Sequence, residues 1–287
     1  MVTRRCTQRQ FLLRPDEATN NAVIYCLAVA AQRHDIEVID FVHMSNHLHD
    51  ALYDRHGNAP AFYEDFHKLL AKCMNALRGR WENFFSSEQV CVVRLEKTED
   101  LIEKLVYIAT NPVKDGLVAR VDDWPGASGY RALARGEPLR ATRPEHFFAK
   151  DGTMPAEVTL RLTIPPELGD RERILDEVHR RVAAIEAQQA EQRTKAGKPV
   201  LGRYAVLRQS WRESPTSKEP RRNHRPTFAA RSLWARLEAI QRNRAFVAAY
   251  RRAWQALVAG TPCAFPPGTY LLRRFLKVDV AAAENLN

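Results

Sequence analysis

Residues 43–54 read HMSNHLHDALYD, and they follow IEVIDFVHM (36–44), a run rich in β-branched and aromatic residues. Ser45 and Asn46 supply turn chemistry, and HLHDALYD alternates after them, so the two runs predict a β-hairpin. Side chains alternate along a strand, which puts His47 and His49 on one face and Leu48 on the other, toward a core. Two imidazoles about 7 Å apart along a strand are able to share one divalent cation. The same spacing also fits two polar residues on a wet strand edge.

Working outward, DEATNNAVIYCLAVAAQRHD (16–35) reads as a helix, with Ala22, Tyr25, Cys26, Val29 and Ala30 at helical spacing behind capping-type residues. Before it, CTQRQFLLRP (6–15) reads as a first strand stopped by Pro15. After the hairpin, APAFYEDFHKLLAKCMNALRGRW (59–81) is a helix starting near Pro60, with Phe62, Phe66, Leu69, Leu70, Cys73 and Leu77 as its apolar stripe. QVCVVRL (89–95) reads as a strand. TEDLIEKLVYIATNP (98–112) reads as a helix with Thr98 as its N-cap and Pro112 as its stop. Strand, helix, strand, strand, helix, strand, helix predicts an α+β fold: a ferredoxin-like split βαβ arrangement, an antiparallel sheet with helices on one face.

From residue 112 to about 170 the chain is rich in proline and glycine, as in DDWPGASGY (122–130) and TIPPELGD (163–170). This predicts a wrapping segment and linker over 136–170, after a first domain of 1–135. RERILDEVHRRVAAIEAQQAEQR (171–193) is an amphipathic helix with Ile174, Val178, Val182 and Ile185 on one side. SPTSKEPRRNHRPT (214–227) is basic and contains prolines. In a last helix, Leu233, Leu237, Ile240, Val247, Tyr250, Trp254 and Leu257 share a stripe, with Trp254 expected in a core. Arg236, Arg242, Arg244, Arg251 and Arg252 fall mostly off that stripe. Residues 171–287 thus read as a basic, mainly helical accessory region.

Of 287 residues 45% are hydrophobic and 27% charged, which excludes bulk disorder. The net charge is +10, and it is unevenly placed. Lys198 to Lys277 hold 17 Lys+Arg against 3 Asp+Glu, while residues 1–197 hold 27 against 29. Such an asymmetry is a nucleic-acid or membrane signal, the alternative being a solvated basic surface. Five scattered cysteines without a CxxC pair exclude a disulfide framework and a cysteine zinc site, and suit a reducing cytoplasm. No apolar run approaches the roughly 18 residues of a membrane span. AVIYCLAVAA (22–31) behind two arginines has the look of an export signal, but fits a core helix between two strands.

The helix at 98–112 carries a second constellation. Ile102, Leu105, Val106 and Ala109 fall on its apolar side, and Lys104, Tyr107 and Asn111 fall opposite at spacings of three and four. A tyrosine and an amide one turn apart offer a nucleophile and an oxygen ligand. The alternative is a surface tyrosine and a helix-terminal asparagine ahead of a proline.

HMSNHLH (43–49), then YIATNPVKDGLV (107–118) and DDWPGASGY, resemble the single-tyrosine HUH transposases of the REP-associated and insertion-sequence-200-like branch. The usual family motifs are Met-Pro-Asn-His-x-His and Tyr-Ile-x-x-Asn-Pro-Val-x-x-Gly-Leu-Val. The resemblance covers about residues 5–135, and the two motifs, in this order and about 60 residues apart, are much more specific together than alone. It implies an HUH transposase-like catalytic domain over 1–135, with His47, His49 and Asn111 as ligands of Mg²⁺ or Mn²⁺ and Tyr107 as nucleophile. The implied product is a 5′-phosphotyrosine bond and a free 3′-hydroxyl. Lys104 would hold a phosphate or lower the phenol pKa. The implied partner is single-stranded or hairpin DNA, with no membrane, for a homodimer or a monomer. Arg4, Arg5, Arg221, Arg222 and Arg225 are candidate DNA contacts, and the interleaved aromatics of GRYAVLRQSW and AYRRAWQ suit stacking on unpaired bases.

Three departures stand out. Ser45 replaces the usual proline. Asp50 falls on the Leu48 side, where a buried carboxylate needs a partner. The near-neutral catalytic half must borrow positive charge from the accessory region. Two further readings remain: a DNA-binding protein of the same fold that does not cut, and a metal-dependent phosphodiesterase that forms no covalent intermediate.

Overall fold

A four-stranded antiparallel sheet is built around the hairpin. A computed structural model describes residues 1–217 and 227–282. Arg221, Arg222 and Arg225 lie outside the described residues. In chain order come β1 (Val2–Arg5), α1 (Glu17–His34), β2 (Glu37–His43), β3 (His47–Tyr53), α2 (Ala59–Arg78), β4 (Cys91–Val92), β5 (Arg94–Leu95) and α3 (Thr98–Lys114). Then follow α4 (Tyr130–Arg135), β6 (Leu139–Thr142), β7 (Glu157–Leu160), α5 (Arg171–Ala196), α6 (Arg203–Arg208), β8 (Phe228–Ala229), α7 (Leu233–Val258) and α8 (Leu271–Leu276). The sheet order is β2-β3-β1-β4, the ferredoxin-like order expected for a split βαβ unit.

The sheet has two covered faces. Register pairs Phe41 with Asp50 and His43 with Leu48, so these four side chains share one face. That face is covered by α1 and α2, which pack against each other, and His43 reaches Phe66 of α2. The opposite face carries His47, His49, Thr3 and Arg5, with Thr3 paired to His49 and Arg5 to His47. There α3 lies on β2 and β3, and α5 packs on α3 from outside. The β6–β7 hairpin packs on α1. Because α1 is buried along most of its length, it is apolar nearly all round. Asp16 caps its start by accepting from the Thr19 amide at 2.7 Å. Among the described residues no helix is long and apolar enough to cross a membrane.

Five local expectations are corrected. The first strand is Val2–Arg5, not 6–15, because Gln8 and Arg9 sit in the left-handed region at φ 49° and 57° and turn the chain out of extended geometry. The 89–95 strand divides: β4 extends the main sheet, whereas β5 pairs in parallel with β8. Lys97, not Thr98, is the N-cap of α3, and Thr98 Oγ1 donates to the Leu168 carbonyl at 2.8 Å. Pro112 does not stop α3, which runs on to Lys114. Only the proline's own donor is missing there, in the last turn, and the Asn111 carbonyl still accepts from Asp115 at 3.0 Å. In α7 the buried residues are Ala235, Ala239 and Ala253, so Trp254 is not a core residue but 43% exposed.

Candidate active site between the hairpin and the third helix

Three rings line up between β3 and α3. The His47 and His49 centroids are 4.8 Å apart at 82°, and those of His49 and Tyr107 are 5.1 Å apart at 80°. Alternation along β3 places the two imidazoles, and helical phase turns Tyr107 back toward them. So the polar side of α3 faces the histidine face of the sheet, while much of the rest of the helix packs into the core and against α5.

Each imidazole is oriented by a neighbour. His47 Nδ1–H donates to Asn46 Oδ1 at 2.7 Å, and His49 Nδ1 bonds Thr3 Oγ1 at 2.9 Å. With Nδ1 donating to an amide oxygen, the lone pair of the His47 ring sits on Nε2, the arrangement a metal-ligating histidine uses, and the Thr3 hydroxyl is able to accept from His49 Nδ1 in the same way. His49 is 4% exposed; burial first, and then its electrostatic neighbours His47, His43, Arg5 and Lys104, push its pKa well below the usual imidazole range. Its Nε2 is buried without a hydrogen-bond partner. So is Asn111 Oδ1, one turn beyond Tyr107. Two of the three implied ligands therefore present an orphaned buried acceptor, which fits a cation with affinity for imidazole nitrogen and amide oxygen. Among the described residues no three His, Cys, Asp or Glu gather as a metal site. The set here is leaner, two imidazoles and an amide.

Two cations flank the phenol ring. Lys104 Nζ lies 5.8 Å and Lys114 Nζ 5.7 Å from the Tyr107 centroid. Lys104 also approaches Glu103 at 3.7 Å. Burial lowers the Lys114 pKa, with Glu103 acting against it and Lys104 with it. Lys114 was missed from sequence, although 104, 107, 111 and 114 form one helical stripe that continues past Pro112. Thr3 and Asn46 were missed too. Asn46 is in the quoted motif, whereas Thr3 is found only through strand register.

The paired arginines of β1 diverge. Arg5 is on the histidine face, and its charge reaches His49. Arg4 is on the other, where its guanidinium donates to the Ser86 and Glu88 carbonyls, both at 2.9 Å, beside the Phe85 ring. Asp50 has the partner its burial requires: His43 Nε2 lies 3.0 Å from Asp50 Oδ1, and both side chains are about 2% exposed or less. This pair is across the sheet from the three rings and leaves their geometry intact.

No protein-family model matches the sequence, and no curated protein matches it. Among solved structures, the chain is similar to a REP-associated tyrosine transposase bound to a REP hairpin, at 20% identity and a TM-score of 0.38, over 57% of this chain and 90% of that one. The relationship is distant.

Proposed function

We propose that this chain is a metal-dependent single-stranded DNA endonuclease and strand transferase that works through a covalent 5′-phosphotyrosine on Tyr107. The observation that carries this reading is the row His47–His49–Tyr107 with two buried, unpartnered polar atoms, His49 Nε2 in the row and Asn111 Oδ1 one helical turn beyond Tyr107. His47, His49 and Asn111 would hold Mg²⁺ or Mn²⁺, which when bound supplies positive charge to polarise a scissile phosphate. Every other step belongs to the side chains.

A phenol ordinarily ionises near pH 10, so Tyr107 needs help as a nucleophile. Lys104 and Lys114 beside its ring favour the phenolate and offset phosphate charge. Tyr107 Oη forms a bond to phosphorus as the P–O3′ bond breaks. The phenolic proton passes, in net, to the departing 3′-oxygen. The phosphodiester is exchanged rather than hydrolysed, so an incoming 3′-hydroxyl can reverse the step and join a new strand.

The test is a denaturing gel of the protein with labelled single-stranded hairpin oligonucleotides and Mn²⁺. A slow, metal-dependent band that Tyr107→Phe abolishes, with oligonucleotide binding kept, is the expected result. Cleavage with no such band would replace the reading with a plain phosphodiesterase. The burial of His49 and Asn111 favours one second reading, a DNA binder of this fold that does not cut. Binding with neither band nor cleavage would establish it.

A further inference from the structure

We propose that α7 carries a pocket for one unpaired base of a single-stranded nucleic acid, formed by Tyr250, Arg251, Trp254 and Gln255. The pocket stands apart from Tyr107 chemistry and holds whether or not the chain cuts.

These four side chains line a cavity of about 310 Å³ that opens to solvent. Their spacing of one, four and five residues puts them on adjoining strips of one helix turn. Tyr250 is fixed from beneath: its ring meets Phe265 edge-on at 5.2 Å, and Phe265 is fully buried. Phe246, one turn earlier, supports the same ring at 6.1 Å. Trp254 is 43% exposed, so its indole offers an aromatic face to solvent. Gln255 brings an amide with both donor and acceptor for a base edge. Arg251 brings a guanidinium that pairs with phosphate or stacks on a base.

Charge decides the occupant. The helix has five arginines and one acid, Glu238. Arg242 is engaged with Glu96. Arg244, Arg251 and Arg252 are exposed and make no ion pair among the described residues. An aromatic floor ringed by uncompensated guanidinium suits a strand with π-faces and phosphates, and suits an apolar protein face poorly.

The experiment is equilibrium binding of the full chain to fluorescent 20-mers of thymidine and uridine, and to a duplex of the same length. Trp254→Ala should weaken binding of the preferred single strand roughly 5- to 150-fold, the range of one lost base stack, and leave duplex binding alone. Trp81→Ala, at an exposed tryptophan that follows α2 in the chain, should change neither. Photocrosslinking of wild type to a 5-iodouracil 20-mer should map to Tyr250 or Trp254, a readout independent of any variant. Equal losses on single strand and duplex would overturn the proposal, as would unchanged binding. So would a shift in oligomeric state with unchanged binding, which would make this face a contact between two copies.

Discussion

At the scale of single residues, the buried carboxyls report how the hairpin is held. Asp40 on β2 is 1% exposed; its Oδ1 accepts from the Phe41 amide at 2.8 Å, and its Oδ2 has no partner. Gly129 presses on it so closely that a Cβ there would lie 2.5 Å from Asp40 Oδ1. Burial is the main cause that pushes its pKa up to about 8; the Phe41 amide works against it and Asp50 with it. A carboxyl raised above its unfolded value stays protonated in the fold where the unfolded chain has already ionised. The fold is therefore stabilised below about pH 4 and loses that stabilisation as pH rises toward 8. Asp40→Asn keeps the acceptor and cannot ionise. Wild type should lose stability relative to it by up to about 1.4 kcal/mol per pH unit between pH 5 and 8. Urea melts at fixed pH measure this, and a difference independent of pH would mean that Asp40 is ionised in the fold. At this scale the sequence showed its two histidines plainly. It did not show that Asp50 is answered by His43, because that pairing spans the hairpin and depends on which residues face each other.

Among the elements, α3 is the one that joins chemistry to packing. Its inner side meets the sheet, and α5 covers it from outside. Ile174, Val178 and Val182 of α5 are 2%, 2% and 3% exposed. Truncating Ile174 to Ala should cost about 2–5 kcal/mol, because the helices cannot close the gap without moving α3. A fall of less than 1 kcal/mol in a urea titration would mean that α5 is only loosely docked. The periodicities of β3, α2 and α5 were legible because each buries a continuous face, and α1 was legible as an apolar run behind capping residues. Three features were not. β1 is four residues with two arginines, and pairing on both sides, not hydrophobic pattern, makes it a strand. α7 has a stripe of large apolar residues, yet the side chains it buries are alanines, since the helix touches the body at few points. The two-residue partnership of β5 with β8 joins segments far apart in sequence, which no local window reports.

For the molecule as a whole, charge is divided and then partly recombined. Arg181 and Arg231 both reach Glu99, the Arg231 amide donates to Asp100 at 2.7 Å, and Arg242 pairs with Glu96. The accessory region thus anchors the N-terminal end of α3 with part of its positive charge. Affinity for single strands should fall steeply with salt. The double change Arg251→Ala, Arg252→Ala should flatten the log–log slope by about 1.4, the loss of two phosphate contacts at about 0.7 each. Anisotropy titrations across a salt series read that slope, and an unchanged slope would place the polyanion elsewhere.

The parallel pairing of Arg94–Leu95 with Phe228–Ala229 also sets an order of events. At a synthesis rate of about 5–20 residues per second, more than a hundred residues separate the two partners, so the first strand waits on the order of ten seconds for the second. During that interval its open edge is a template, and the same short strand from a neighbouring nascent copy fits it as well as the chain's own. Exchange at this one position would entwine two copies with no contact that a single copy does not already make.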